Sequence, residues 1–178
     1  IEDIIVLKNN KGTEDNRVRK LDYSIQLSKL FYERFINDED ITLFSPHEVP
    51  ELYEAWGSDE FDELYKTAER KTSVSKKKVS AQTLFFDMLK ERAETGRIYI
   101  MNIDHCNTHS SFKDRIYMSN LCQEITLPTD PIQHIDGQGE IALCILSAIN
   151  VGKLSYLEDL EGLCDLAVSY THLTLPTM

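Results

Sequence analysis

Apolar positions along the first hundred residues change their spacing several times. Tyr23, Ile25 and Leu27 alternate with polar neighbours, which predicts a short strand over 22–27. From 28 to 37 the interval lengthens, and Leu30, Phe31 and Phe35 fall on one face of an expected helix. Ile41-Thr42-Leu43-Phe44 reads as a second strand, ended by Ser45-Pro46. Helices are predicted over 48–56 and 59–70, the latter with Ser58 as N-cap and Asp59 and Glu60 in its first turn. A longer helix over 79–94 places Leu84, Phe85, Met88, Leu89 and Arg92 at helical spacing and stops at Gly96, where a left-handed C-terminal residue is needed.

Beyond Gly96 the texture changes. Residues 97–103 read as a strand, and 121–127 as an extended or loop-like stretch closed by Pro128. The apolar run 141–149 fits a strand buried on both faces, as in a parallel sheet. Ser155-Tyr156-Leu157-Glu158 has the form of a capping box opening a helix along Leu157, Leu160, Leu163 and Leu166. Helices mixed with buried strands predict an α/β architecture. Ser169-Tyr170-Thr171-His172-Leu173-Thr174-Leu175-Pro176-Thr177 is expected to break that last helix. It resembles an in-frame translation of a transposase-type sequencing adapter, so 168–178 is read as a non-native tail. Ile1-Glu2-Asp3-Ile4-Ile5-Val6-Leu7 reads as the middle of an amphipathic element, which carries the expectation of a truncated gene product.

Composition narrows the function classes. The 178 residues are 42% hydrophobic and 28% charged, as in an ordinary globular chain, with a formal net charge of −11. That acidic balance argues against a general binder of DNA, RNA or membrane surfaces. Lys76-Lys77-Lys78, beside Arg70 and Lys71, is read as a solvated approach to the helix that follows. No stretch has the apolar length of a transmembrane helix. Cys106, Cys122, Cys144 and Cys164 form no C-x-x-C pair, and a reducing, cytoplasmic compartment is expected.

Three stretches could carry chemistry. In an extended Ser119-Asn120-Leu121-Cys122-Gln123-Glu124, side chains alternate, so Asn120, Cys122 and Glu124 would share one face, with Leu121 and Gln123 on the other. A thiol, a carboxylate and an amide so placed could act as a nucleophile or hydrogen-atom carrier, a general base and a neutral hydrogen-bonding group. The same residues also fit a packed cysteine flanked by solvent-facing polar groups. Cys144, within Gly139-Glu140-Ile141-Ala142-Leu143-Cys144, is either an inert strand cysteine or a redox thiol facing the cavity of Cys122. His105, Cys106 and His109 have metal-ligand chemistry, but their Asn-Thr-His-Ser context reads as a polar loop with no second ligand cluster, and no metal is expected. Cys164 is read as packing.

Ser119-Asn120-Leu121-Cys122-x-Glu124-Ile125 resembles the finger-loop motif of ribonucleotide reductase large subunits, and Gly139-Glu140-Ile141-Ala142-Leu143-Cys144 resembles that family's second redox-cysteine strand. Arg97-Ile98-Tyr99-Ile100 with Asp104-His105-Cys106-Asn107-Thr108-His109 is similar to the strand and loop before the finger. Val6-Leu7-Lys8-Asn9-Asn10-Lys11-Gly12, Asn16-Arg17-Val18-Arg19 and Asp40-Ile41-Thr42-Leu43-Phe44-Ser45-Pro46 also resemble the family, nearest its class I bacterial members, and the stretches follow the family's order across 1–167.

The resemblance implies a partial ten-stranded α/β barrel of the reductase and glycyl-radical type, with a central finger loop and a helix-rich N-terminal part. It implies reduction of ribonucleoside diphosphates to 2′-deoxyribonucleotides by thiyl-radical chemistry. Cys122 would carry the radical and Glu124 would take the 3′-hydroxyl proton. Asn120 would hold the substrate hydroxyls, beside Leu121 and Gln123, and Cys144 would supply reducing equivalents inside a dry pocket. Neither Cys106 nor Cys164 matches the partner of Cys144 in that disulfide, so the isolated chain is expected not to turn over. No cofactor is expected on these residues. A dimetal–tyrosyl radical in a small (beta) subunit, ATP or deoxynucleotide effectors, thioredoxin or glutaredoxin, and a homodimer are implied for the intact subunit. Exposed strand edges and apolar faces are expected, with poor solubility. Three other readings remain: another thiyl- or glycyl-radical barrel enzyme, a non-catalytic helical binding module in which Cys122 and Cys144 merely pack, and a His/Cys metal module around His105, Cys106 and His109.

Overall fold

The computed structural model describes the chain except residues 10, 12, 14, 16, 17, 19, 20, 136, 145 and 175–178. The stretch Asn16-Arg17-Val18-Arg19 therefore lies largely outside the described residues, as do Asn10 and Gly12 and the end of the tail. The chain forms two units, Ile1–Pro131 and Ile132–Met178.

In the first unit α1 (Glu2–Ile5) precedes β1 (Tyr23–Leu27), α2 (Lys29–Ile36), β2 (Asp40–Phe44), α3 (Pro50–Glu54), α4 (Phe61–Arg70), β3 (Lys76–Ser80), α5 (Ala81–Thr95), β4 (Ile98–Asn102) and α6 (Ile103–Thr108). β1 lies parallel to β4, with Tyr23 opposite Ile98 and Leu27 opposite Asn102. β2 lies antiparallel to β3, with Asp40 opposite Ser80 and Phe44 opposite Lys76. The expected mixed α/β character is present. Among the described residues no barrel closes, because the strands form two separate two-stranded sheets.

Local chemistry explains why these segments form. Ser28 caps α2 by accepting a hydrogen bond from the Phe31 N–H at 3.3 Å. The Asp104 carboxylate adds a second cap by accepting from the Lys29 N–H. Ser80 caps α5 through the Thr83 N–H at 3.2 Å, and Gly96, at φ +68°, ends it. One core joins Leu27, Phe31, Ile41, Leu84, Met88 and Ile98, so α2 and α5 cover the strands. A second joins Leu30, Val49, Leu52, Phe61, Tyr65 and Ala68 around α3 and α4. A third, of Met101, Ile103 and Ile116 packed against Trp56 and Cys106, ties β4 and α6 to the segment leading into the candidate loop. Each large side chain so buried contributes about 1.5–3 kcal/mol before the entropy of ordering is subtracted.

Several expectations are corrected. Lys76-Lys77-Lys78 is strand, not helix approach: its backbone pairs with β2 while its lysines stay exposed, so α5 begins only at Ala81. Ser58 does not cap α4; its hydroxyl donates back to the Ala55 carbonyl at 2.7 Å, and Glu60 occupies the cap position. The polar stretch after β4 is helical (α6) rather than loop.

The second unit holds a 3₁₀ turn, Val151–Lys153, and α7 (Asp159–Thr174). The 141–149 run is not a buried strand. Its described residues have no strand pairing, and Ile141 and Leu146 are exposed. An apolar run becomes a two-face-buried strand only when neighbours bond both edges and cover both faces, and no described strand pairs with it. Ile145, in the same run, lies outside the described residues. The capping box does not start the helix, which opens at Asp159 after turns closed by Asp159 N–H to Tyr156 and Leu160 N–H to Leu157. Nor does the helix break at residue 168, since α7 continues to Thr174.

Candidate functional site

The segment leading into the 119–125 loop is held by elements of the first unit. Ile116 is fully buried. Its N–H donates to Asn107 Oδ1 at 2.8 Å and its carbonyl accepts from Asn107 Nδ2 at 3.0 Å. The next carbonyl, of Tyr117, accepts from Gln26 Nε2 at 2.8 Å, and Gln26 Oε1 in turn accepts from the Trp56 indole N–H. Arg115 donates to the Glu54 carbonyl and to the Tyr117 hydroxyl, with its guanidinium 4.5 Å from the Tyr117 ring centre. An open apolar groove of about 680 Å³ is lined by Leu27, Phe31, Leu52, Trp56, Tyr117 and Met118 among others.

The loop is closed by its own polar groups. Ser119 Oγ donates to the Ile125 carbonyl at 2.6 Å, and Asn120 Oδ1 accepts from the Ile125 N–H at 3.0 Å. The Asn120 carbonyl accepts from both the backbone N–H and the Nε2 of Gln123. Gln123 therefore sits at φ +67°, and the chain turns at Leu121 and Cys122. The expected alternation along an extended 120–124 is lost for that reason: an i to i+3 hydrogen bond folds the backbone, so Asn120, Cys122 and Glu124 are not set on one face by pleating.

Asn120 and Gln123 are half-buried, while Leu121, Cys122 and Glu124 are exposed. Cys144, in the second unit, is exposed as well. Each of these two thiols is thus solvent-exposed within its own unit. Exclusion of water needs covering elements on several sides, and the described residues leave both thiols open to solvent. Cys164 is also exposed, on α7, rather than packed.

The other candidate cluster lies on α6 and its C-cap. His105 and His109 stack edge to face with centroids 5.7 Å apart, and burial pushes the Cys106 thiol upward from its ordinary pKa. Among the described residues no group of three or more His, Cys, Asp or Glu side chains is placed to hold a metal ion. No helix, among the described residues, is long and apolar enough to cross a membrane.

Sequence reasoning passed over Gln26, Trp56, Gly57 and Asn107. Apart from the Asn107 bond back to Ile103, their partners are long-range or nine residues away, and no periodicity announces them. Asn107 was visible only as one polar letter in a loop-like string. Glu91 was also missed: it is buried on α5, and its Oε2 has no hydrogen-bond partner among the described residues.

Comparison with known proteins gives this geometry its context. Residues 1–173 match the family described as ribonucleotide reductase, barrel domain. The chain is 56% identical over 163 residues to the ribonucleoside-diphosphate reductase subunit alpha of Haemophilus influenzae, covering 88% of this chain and 22% of that protein. It is 54% identical over 137 residues to ribonucleoside-diphosphate reductase 1 subunit alpha of Escherichia coli, covering 74% of this chain and 18% of that protein. The subunit alpha of Enterobacteria phage T4 is 43% identical over 173 residues, 94% of this chain and 22% of its own length. The chain thus spans about a fifth of the length of these relatives. Because the family match spans residues 1–173, nearly the whole chain, the chain belongs to the ribonucleotide reductase barrel-domain family.

Proposed function

We propose that this chain is the part of a class I ribonucleoside-diphosphate reductase large subunit that carries the radical-bearing finger loop of a ten-stranded barrel. The observation that carries the reading is a family match over residues 1–173, the range within which Asn120, Cys122, Glu124 and Cys144 lie. Beside it stands a loop whose entry is bonded on several sides to a packed core. On this reading residues 1–167 belong to the barrel and 168–178 are a foreign string; sequencing the gene across codon 178 tests that division.

In the assembled subunit Cys122 gives up its S–H hydrogen and becomes a thiyl radical. A dimetal–tyrosyl radical in the small subunit would supply the oxidising equivalent. The Cys122 sulfur takes the hydrogen from the ribose C3′, and an S–H bond replaces the C–H bond. Glu124 accepts the 3′-hydroxyl proton, which helps expel the 2′-hydroxyl as water. Asn120 Oδ1 is engaged within the loop, so its Nδ2 is the group left to donate to the sugar hydroxyls and hold them at reacting distance. Leu121 and Gln123 border the same space. Cys144 and a second cysteine give two electrons and two protons and close a disulfide, and Cys122 returns its hydrogen to C3′. Thioredoxin or glutaredoxin then reduces the disulfide. A reducing cytoplasm suits this cycle. ATP or deoxynucleotide effectors and a homodimeric large subunit complete the assembly.

The test uses the complete large subunit with its small subunit. Cys122→Ser is expected to abolish deoxynucleotide formation, to below about a thousandth of the wild-type rate, while substrate and effector binding are retained. Appreciable turnover in Cys122→Ser would overturn the radical assignment.

A further inference from the structure

We propose that Asn107 is a positioning residue for the 119–125 loop, acting with Gln26 to fix where the Cys122 sulfur stands. This rests on the reading of that loop as the radical carrier. Residues 109–118 form neither helix nor strand, yet the Ile116 backbone passes through the core. A buried backbone N–H and C=O both require partners. No strand supplies them. The Asn107 carboxamide does, presenting one acceptor and one donor to the same residue, as a neighbouring strand would.

The orientation of that amide is fixed. Asn107 Nδ2 also donates to the Ile103 carbonyl at 3.1 Å, one turn back on α6. Reversing the amide would aim its oxygen at two carbonyls and its NH₂ at an N–H, losing all three bonds. Room for the group comes from Gly57. At φ +76°, this residue lets the turn after α3 approach so closely that a Cβ would lie 2.9 Å from Asn107 Nδ2 and 2.7 Å from Ile103 Cγ1.

Gln26 is the second tether. From β1 it holds the Tyr117 carbonyl, and the Trp56 indole holds Gln26. The two tethers come from different elements and grip adjacent residues, so the backbone is fixed in more than one direction just before Ser119. Beyond that point the loop is closed by Ser119 and Asn120, so a shift at Ile116 carries the loop with it. Hydrogen transfer between sulfur and carbon demands close placement, and a displacement of about 1 Å can cost on the order of a hundredfold in rate.

Asn107→Asp keeps the side-chain shape and the acceptor for the Ile116 N–H but loses both donations. Gln26→Leu cuts the other tether. In the complete large subunit with its small subunit, each is expected to lower kcat by about 10- to 100-fold with KM changed less than about twofold. With 3′-deuterated substrate, the isotope effect on kcat should rise above the wild-type value, because hydrogen abstraction becomes the slower step. A purely structural role would not move that isotope effect. Wild-type turnover and isotope effect in folded variants overturn the proposal, as does a fall in kcat that follows loss of substrate binding. If Asn107→Asp does not fold, Gln26→Leu decides the matter in the same way. Cys122→Ser run in parallel separates the two readings: turnover there defeats the radical assignment itself, whereas inactive Cys122→Ser beside a fully active Asn107→Asp defeats only the positioning role.

Discussion

Tyr65 packs against β2 with its hydroxyl in two bonds to one residue, accepting from the Thr42 N–H and donating to the Thr42 carbonyl, each at 2.7 Å. Burial, aided by the nearby Glu69 charge, pushes its pKa from 10.0 to about 12 against the opposing bonds to Thr42 and the charge of Arg34. Above pH 10 the unfolded chain loses a proton that the folded chain retains. The stabilisation is therefore fully present below pH 10 and is lost as pH rises towards 12, roughly 2–3 kcal/mol in all. Urea unfolding at pH 9 and pH 11.5 should register that loss. Tyr65→Phe should cost about 1–3 kcal/mol at pH 7, by orphaning both Thr42 groups, and should flatten the alkaline slope. A slope unchanged in Tyr65→Phe would assign the effect to other tyrosines, such as Tyr23 and Tyr32, whose pKa values are also raised by burial. Beside Tyr65, Arg34 grips Glu69 through two bonds of 2.6 and 2.5 Å, and Thr42 Oγ1 adds a third. Burial alone would raise the Glu69 carboxyl, but those bonds outweigh it and hold the pKa below the usual value. None of this was legible in the sequence. Arg34 and Glu69 are 35 residues apart, and side-chain partners at that distance leave no local spacing to read. The same holds for Gln26 with Tyr117, whereas Cys122 and Glu124 stood out because their chemistry and short motif are carried by neighbouring letters.

At the scale of elements, α2 ends in a two-bond motif that ordinarily calls for glycine. The Glu39 N–H reaches the Arg34 carbonyl at 2.8 Å and the Asp38 N–H reaches the Phe35 carbonyl at 3.4 Å, which leaves Asp38 at φ +56°. Asp38→Gly should relieve that left-handed backbone and thin the acidic run Asp38-Glu39-Asp40. The expected gain is about 1 kcal/mol, read as a higher urea midpoint with an unchanged slope. A lower midpoint would mean that the Asp38 carboxylate contributes more than its backbone costs. The elements legible beforehand share one property: β1, α2, β2, α5 and β4 are each specified by their own apolar period and end signals, Ser28, Ser80 and Gly96 among them. Those misread depend on something elsewhere. β3 has three lysines and no period, and it exists because β2 offers it a ladder. Its lysines keep an edge strand soluble, a use of charge that a linear reading takes for a solvated approach. The 141–149 run errs the other way, with the composition of a buried strand and no described partner to bury it.

For the molecule as a whole, apolar surface is distributed unevenly. The first unit encloses three cores, whereas in the second Ile135 is 101% exposed, Leu146 82% and Leu157 74%. Contiguous apolar surface of that kind marks places where another element or partner usually packs. Proteases cut where the backbone can locally open, and opening is cheapest where few backbone bonds and buried contacts must be broken. Among the described residues between 110 and 150 there is neither helix nor strand, and Lys113 and Lys153 are exposed in or beside that region. Arg34 and Arg92, by contrast, are tied to Glu69 and to the Ile98 carbonyl within the packed unit. Limited trypsin digestion should therefore cut first at Lys113 and Lys153, apart from trimming at the N-terminal lysines, and leave a resistant core ending near residue 113. Mass spectrometry of the early products distinguishes this from cleavage within α5 at Lys90 or Arg92. Early cuts there would mean that α5 opens as readily as the region after it. The first unit could not then supply the rigid base from which Asn107 and Gln26 hold the loop.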